Sequence, residues 1–196
     1  MNRLLDFIAK PESGGDYNIV WGRIKRKDWP PKPLTQMTIG EVLAWQDRID
    51  PHYMSEAAGR YQILEDTLRG LFRQAGLLET DLFNEENQDR LATRLLQRRG
   101  LNDYLAGRIS TEKFCNSLAK EWASLPVVSG PKRGCSYYSG DGLNKSHVSV
   151  VDFMEAVRSI RNPPPVDHVP APPKQPSGFW ASLVAALAGI FGKDKA

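Results

Sequence analysis

The chain has 196 residues, of which 41% are hydrophobic and 25% charged, the make-up of one globular domain with extensions. A body of ~160 residues buries roughly 70% of its unfolded surface, so size alone demands neither a disulfide nor a metal. The net charge of +3 and pI near 8.9 suit an anionic surface such as a cell wall, are equally ordinary for a soluble protein, and are far too small to indicate a nucleic-acid partner.

Leu4, Leu5, Phe7 and Ile8 make one apolar face of a first helix. Pro11 disfavours a helical Lys10, and Gly14-Gly15 end any continuation. Glu12 is therefore expected at the ragged end of a packed helix, facing a cleft or simply solvated. Tyr17, Ile19, Val20 and Trp21 suggest one short strand. Arg23-Ile24-Lys25-Arg26-Lys27 and Trp29-Pro30-Pro31-Lys32-Pro33 form a basic, proline-stiffened loop. It is either a solvated loop or a contact for wall carboxylates or phosphates.

Thr38 and Glu41 have capping-box spacing, and Ile39, Val42, Leu43 and Ile49 follow, which predicts a helix over 39–49 stopped by Asp50-Pro51. After the Gly59-Arg60-Tyr61-Gln62 turn, Leu68, Leu71, Phe72 and Ala75 predict a helix that Gly76 terminates. Asn84 can cap a helix running to Arg99, with Leu91, Leu95 and Leu96 inward and Gly100 at its stop. Ser110 opens the next, with Phe114, Leu118 and Trp122 on its face and Pro126 at its end. Ser149 and Asp152 open the last core helix, which carries Val150, Phe153, Met154, Val157 and Ile160. Before it, a long loop between Val127 and His147 lacks apolar periodicity and contains Tyr137-Tyr138; such loops are functional or disordered. The fold predicted is mainly α, a helical bundle with a small β or irregular lobe flanking a cleft.

Seven prolines between residues 162 and 176 predict a semi-rigid linker over 162–177. The apolar stretch 178–196 carries Phe179, Trp180, Leu183, Val184, Leu187, Ile190 and Phe191. As a helix it spans about 22 Å, short of a ~30 Å hydrocarbon core, so it is expected to lie on a membrane surface, or else to dock on the body. The main domain is then 1–161. Cys115 reads as a small buried hydrophobe, and a bridge to Cys135 stays open.

Nucleophile and metal machinery are missing from the sequence: there is no Gly-x-Ser-x-Gly elbow, phosphate-cradling loop, His-Glu-x-x-His or Cys-x-x-Cys. Carboxylate chemistry remains. Glycosidic cleavage needs an acid that keeps its proton near neutral pH, which requires partial burial. Glu12, against the apolar end of the first helix, meets that need. Asp16 is the nearest possible partner carboxylate.

Four segments then resemble one family. Ala58-Gly59-Arg60-Tyr61-Gln62 is similar to a segment of the bacteriophage lambda endolysin family, lytic transglycosylases of the lysozyme-like superfamily. Glu12-Ser13-Gly14-Gly15-Asp16-Tyr17-Asn18-Ile19-Val20 resembles that family's catalytic-glutamate region. Phe83-Asn84-Glu85-Glu86-Asn87-Gln88-Asp89, followed by Arg98-Arg99-Gly100, and Trp122-Ala123-Ser124-Leu125-Pro126 are also similar. The blocks stand in family order. The sequence departs from the pattern at Pro11, at Gly14-Gly15 and in the length of the loop bearing Tyr137-Tyr138.

The resemblance implies a lysozyme-like fold and peptidoglycan as substrate, with Glu12 as single acid/base and no cofactor or metal. It implies that Ser13 orients Glu12 and that Tyr61 and Gln62 line the saccharide cleft, where Tyr137 and Tyr138 would add flat faces. Tyr61 reads equally as a core residue holding the Gly-Arg turn. Water-using phage lysozymes place an Asp after the glutamate where this chain has Val20-Trp21-Gly22, which points to transglycosylation. The alternatives are a muramidase using Asp16 or Asp28, and a non-catalytic wall-binding module. No secretory leader is visible, so the chain is expected to be made in a host cytoplasm and to reach the periplasmic wall after membrane permeabilisation. A monomer is expected.

Overall fold

The computed structural model describes residues 2–140 and 144–161, all within one compact unit, Met1–Pro163. The expected linker and apolar tail, 162–196, lie outside the described residues. What is described is the mainly α-helical, lysozyme-like architecture expected: α1 (Asn2–Ser13), α2 (Ile39–Ile49), α3 (Glu65–Leu71), α4 (Glu85–Arg98), α5 (Leu101–Leu105), α6 (Thr111–Leu118) and α7 (Val150–Arg161).

α1 includes Lys10 despite Pro11. It runs through the proline to Ser13. An internal proline forfeits one helical hydrogen bond and crowds the preceding turn, at a cost of about 3 kcal/mol. Two features offset it. Leu4, Leu5, Ile8 and Ala9 are buried, the larger ones worth roughly 2 kcal/mol each. The last turn is also pinned from outside: the Ser13 hydroxyl lies 3.1 Å from the Ala9 carbonyl and 2.7 Å from that of Arg60. Gly14, at φ +66°, then turns the chain away while its N–H bonds the Lys10 carbonyl at 3.1 Å. Glu12 therefore follows Leu5, Ile8 and Ala9 at helical spacing, on the buried stripe.

α2 starts as its sequence dictates: Thr38 and Glu41 close a reciprocal capping box. The Asn84 side chain caps α4 by accepting from Asn87 N–H at 3.0 Å, and Ser110 and Ser149 cap α6 and α7 likewise. Two expectations need correction. No strand forms over 17–21; only an isolated bridge joins Val20 to Ala58, because that stretch meets a tight turn and not a second strand. α6 ends at Leu118, well before Pro126, so Trp122 is buried from a turn and not from a helix face. The five-residue α5 went unpredicted.

α1 packs on α4 and α7, α6 on α7, and α2 on α3, which meets α4. Phe7 stacks on Phe153 and Tyr104 on Phe114, with ring centroids 6.0 and 4.9 Å apart. Cys115 is buried and Cys135 exposed, and both are free thiols; burial pushes the Cys115 thiol up to about 12.

Candidate active site

A cavity of about 570 Å³ opens at the end of α1, with Glu12 in its lining. Residues from 54–64, from Glu121 to Ser124, and from the loop bearing Tyr138, Lys145 and His147 complete it, with Trp21 at its edge. The Ser124 hydroxyl donates to Glu12 Oε1 at 2.5 Å, and the Ser124 backbone N–H approaches the same oxygen at 3.4 Å. Burial pushes the Glu12 carboxyl above its ordinary value; the two Ser124 bonds and the nearby His147 pull it down by less. Ser124 is itself buried, and its carbonyl accepts from His147 N–H at 2.9 Å, which ties the loop to the site.

The turn facing Glu12 is closed by its own backbone and anchored by long-range hydrogen bonds. Ala58 and Ile63 bond each other's backbones at 3.2 and 2.9 Å, and Gly59 N–H reaches Ile19 O at 2.8 Å. Gln88, wholly buried, holds the turn to α4: its Oε1 accepts from Arg60 N–H at 2.9 Å, and its amide donates to Tyr17 O and Phe83 O. Gln62 adopts φ +48°, a left-handed conformation uncommon for a side-chain-bearing residue, and it lines the cavity.

The structure thus brings Glu12, Gln62 and Tyr138 together around one cavity. Ser13, Tyr61 and Tyr137 are placed elsewhere. Ser13 is buried, and its hydroxyl pins α1 to Arg60 with no bond to Glu12. Tyr61 is buried as well; its hydroxyl donates to Asp89 at 2.7 Å and its carbonyl accepts from the Trp122 indole at 3.3 Å. Tyr17 also donates to Asp89, at 3.0 Å, and Arg60 lies over both tyrosine rings. Burial, reinforced by Asp89, pushes both tyrosine hydroxyls up. Tyr137 is exposed, edge-on to Tyr138 at 5.2 Å, while Tyr138 donates to Lys120 O at 2.8 Å.

Sequence reasoning assigned no role to Ser124, Glu56, Glu121 or His147, all of which line the cavity. Glu121 is taken up by Arg98 and Arg99, at 2.8 and 2.6 Å. Glu56 is buried and accepts from Glu65 N–H at the start of α3, at 2.9 Å. The possible second carboxylates lie outside the lining: Asp16 closes a turn on Asn18 N–H at 2.8 Å, and Asp28 is held below its ordinary value by the Tyr53 hydroxyl. A second cavity of about 410 Å³ lies along α4, beside Asn2 and Leu5, and contains none of the candidate site residues. The larger one holds Glu12, whose burial favours retaining a proton.

The Endolysin family matches residues 10–147, more than half of the chain and the whole of this cavity's lining. The chain belongs to the Endolysin family. No curated protein and no solved structure matches it. Membership makes this endolysin a cell-wall-degrading enzyme of the phage type, with peptidoglycan as its substrate. Among the described residues no helix is long and apolar enough to cross a membrane.

Proposed function

We propose that this endolysin cuts the β-1,4 bond between N-acetylmuramic acid and N-acetylglucosamine as a lytic transglycosylase, with Glu12 as acid and then base. The carrying observation is a carboxyl whose affinity for its proton is raised by burial, set in a sugar-sized cavity with both Ser124 donors on a single oxygen. Two donors on Oε1 favour the proton on Oε2.

Protonated Glu12 gives that proton to the glycosidic oxygen as the bond to muramoyl C1 breaks. The muramoyl N-acetyl oxygen supports the positive charge at C1. The Glu12 carboxylate, now stabilised by Ser124, takes the proton of the C6 hydroxyl. That oxygen bonds C1, releases the N-acetyl group and closes the 1,6-anhydro ring. Glu12 ends protonated, ready for another cycle, and no water is consumed. Gln62 offers an amide to sugar hydroxyls and Tyr138 a ring face, while Ser13 and Tyr61 hold the backbone that presents them. The 162–177 segment serves as linker and 178–196 as a membrane-surface contact.

A water-using muramidase is the second reading, and one observation favours it: Glu56 lines the same cavity. The products separate the two. Digested wall carrying 1,6-anhydro-muramoyl ends supports transglycosylation; reducing ends overturn it and make Glu56 the second carboxylate to test.

A further inference from the structure

A dense run of positive charge lies near the start of this endolysin's chain. Between residues 23 and 33 stand five basic side chains, Arg23, Lys25, Arg26, Lys27 and Lys32, and one acid, Asp28. That makes +4 in a chain whose net charge is +3, so the remaining sequence is slightly acidic.

The segment is braced. Ile24 is buried, and the Trp29 indole donates to its carbonyl at 2.9 Å. The Trp45 indole donates to Asp28 O at 2.9 Å. The Tyr53 hydroxyl donates to the Asp28 carboxylate at 2.6 Å and accepts from Lys25 N–H at 3.2 Å. Arg23, Lys25 and Arg26 are exposed and form no ion pair among the described residues. Lys27 reaches Asp28 only at 3.9 Å, with its side chain 77% exposed. Crowding like charges on a rigid surface is unfavourable until an anionic partner arrives.

The patch is continuous with the cleft. The Arg23 guanidinium lies over the Trp21 ring at 5.6 Å, and Trp21 lines the cavity. The glycan of peptidoglycan is neutral; its negative charges are the carboxylates of stem peptides, which branch from the muramoyl units and would flank a strand seated beside Glu12. A lipid surface would need a broad apolar face next to the charges. Here the large exposed apolar side chain in the segment is Trp29, whose indole N–H is already used internally.

We propose that the braced basic face formed by residues 23–32 docks the stem-peptide carboxylates of peptidoglycan and so guides the glycan strand into the Glu12 cleft. This rests on peptidoglycan being the substrate and not on how the bond is cut.

The test uses the full chain carrying Glu12→Gln, to prevent cutting, with and without Lys25→Gln, Arg26→Gln and Lys27→Gln together. Each protein is sedimented with purified sacculi, native or with their carboxyls amidated. The triple substitution is expected to weaken binding to native sacculi about tenfold at low salt, an effect that salt screens. Amidation should weaken the unsubstituted protein similarly and leave nothing further for the triple substitution to remove. The charge-conserving set Lys25→Arg, Arg26→Lys and Lys27→Arg should bind like the parent. Undiminished binding by the triple variant, or indifference to amidation, overturns the proposal. So does a triple variant that keeps its sacculi but loses vesicles of anionic phospholipid, which assigns the face to a membrane. The ends made by Glu12-bearing protein are read separately, so reducing ends sink the transglycosylase reading and leave this one standing.

Discussion

Ser124 holds one oxygen of Glu12 with both its hydroxyl and its backbone N–H, across a span of 112 residues. Hydrogen bonds to a carboxylate favour its charged form. Ser124→Ala removes the stronger donor and keeps the backbone one. The Glu12 pKa should then rise further, and the alkaline limb of kcat/KM against pH should move up with it. The base step needs the carboxylate, so kcat is expected to fall about tenfold, or ~1.4 kcal/mol, in the range of one hydrogen bond to a charged group. A pH profile and rate matching the parent would show that Ser124 does not act on Glu12.

The site carries a stability penalty that depends on pH. Burial raises the Glu12 pKa above its ordinary 4.5 in the folded protein. In the interval between those two values the unfolded chain has lost the proton and the folded one keeps it, so stability falls as pH rises. Below the ordinary value the penalty is absent. Glu12→Gln cannot ionise, and its amide oxygen still accepts from Ser124. Thermal melts should give the variant and parent similar Tm near pH 4, with the variant pulling ahead by about pH 8. A variant no more stable than the parent at the higher pH would contradict a buried, desolvated Glu12.

Gln62 trades backbone strain for position. Its φ of +48° costs about 1 kcal/mol that glycine would not incur, and its amide donates to Gly59 O at 2.9 Å. Gln62→Gly gains the first and loses the second, so Tm should stay within a few degrees. The kcat/KM on peptidoglycan should fall several-fold if the amide meets substrate. Unchanged kcat/KM would leave Gln62 a turn residue only.

Gly59 admits no side chain. Its φ is +75°, and an added Cβ would stand 2.9 Å from the Phe83 ring and collide with the Gln88 amide. Both neighbours are buried. Gly59→Ala is expected to cost about 3 kcal/mol and lower Tm by roughly 6–12 °C. A melt within two or so degrees of the parent would mean that Gln88 can give way, and that it does not fix the turn.

Thiol titration of native protein should label Cys135 quickly, because it is exposed. Cys115 should react only on unfolding, since burial keeps it protonated. Two rapidly reacting thiols would place Cys115 outside the core.

What was legible in the sequence was what is decided locally. The Thr38–Glu41 box and the Asn84 cap act within four residues, so the starts of α2 and α4 could be read directly. Pro11 misled because the local rule is outweighed from a distance, by Ser13 bonding Arg60 and by the packing of Leu5 and Ile8. Continuing the apolar stripe one more turn would have shown Glu12 lying on it. Tyr61 was open between cleft and core, and its burial with a bond to Asp89 answers to the core side of that reading. Ser124, Glu56 and Glu121 carry no periodic signal, since each gains its place from chain segments distant in sequence. α5 is too short to show a period.

The most direct measurement is a mass spectrum of wall fragments released by the parent and by Glu12→Gln. The account predicts 1,6-anhydro-muramoyl ends from the parent, and from the variant a rate lower by about 10²–10⁴-fold, the usual contribution of a general acid/base. Reducing ends from the parent, or wall degradation by the variant at the parent's rate, would contradict it.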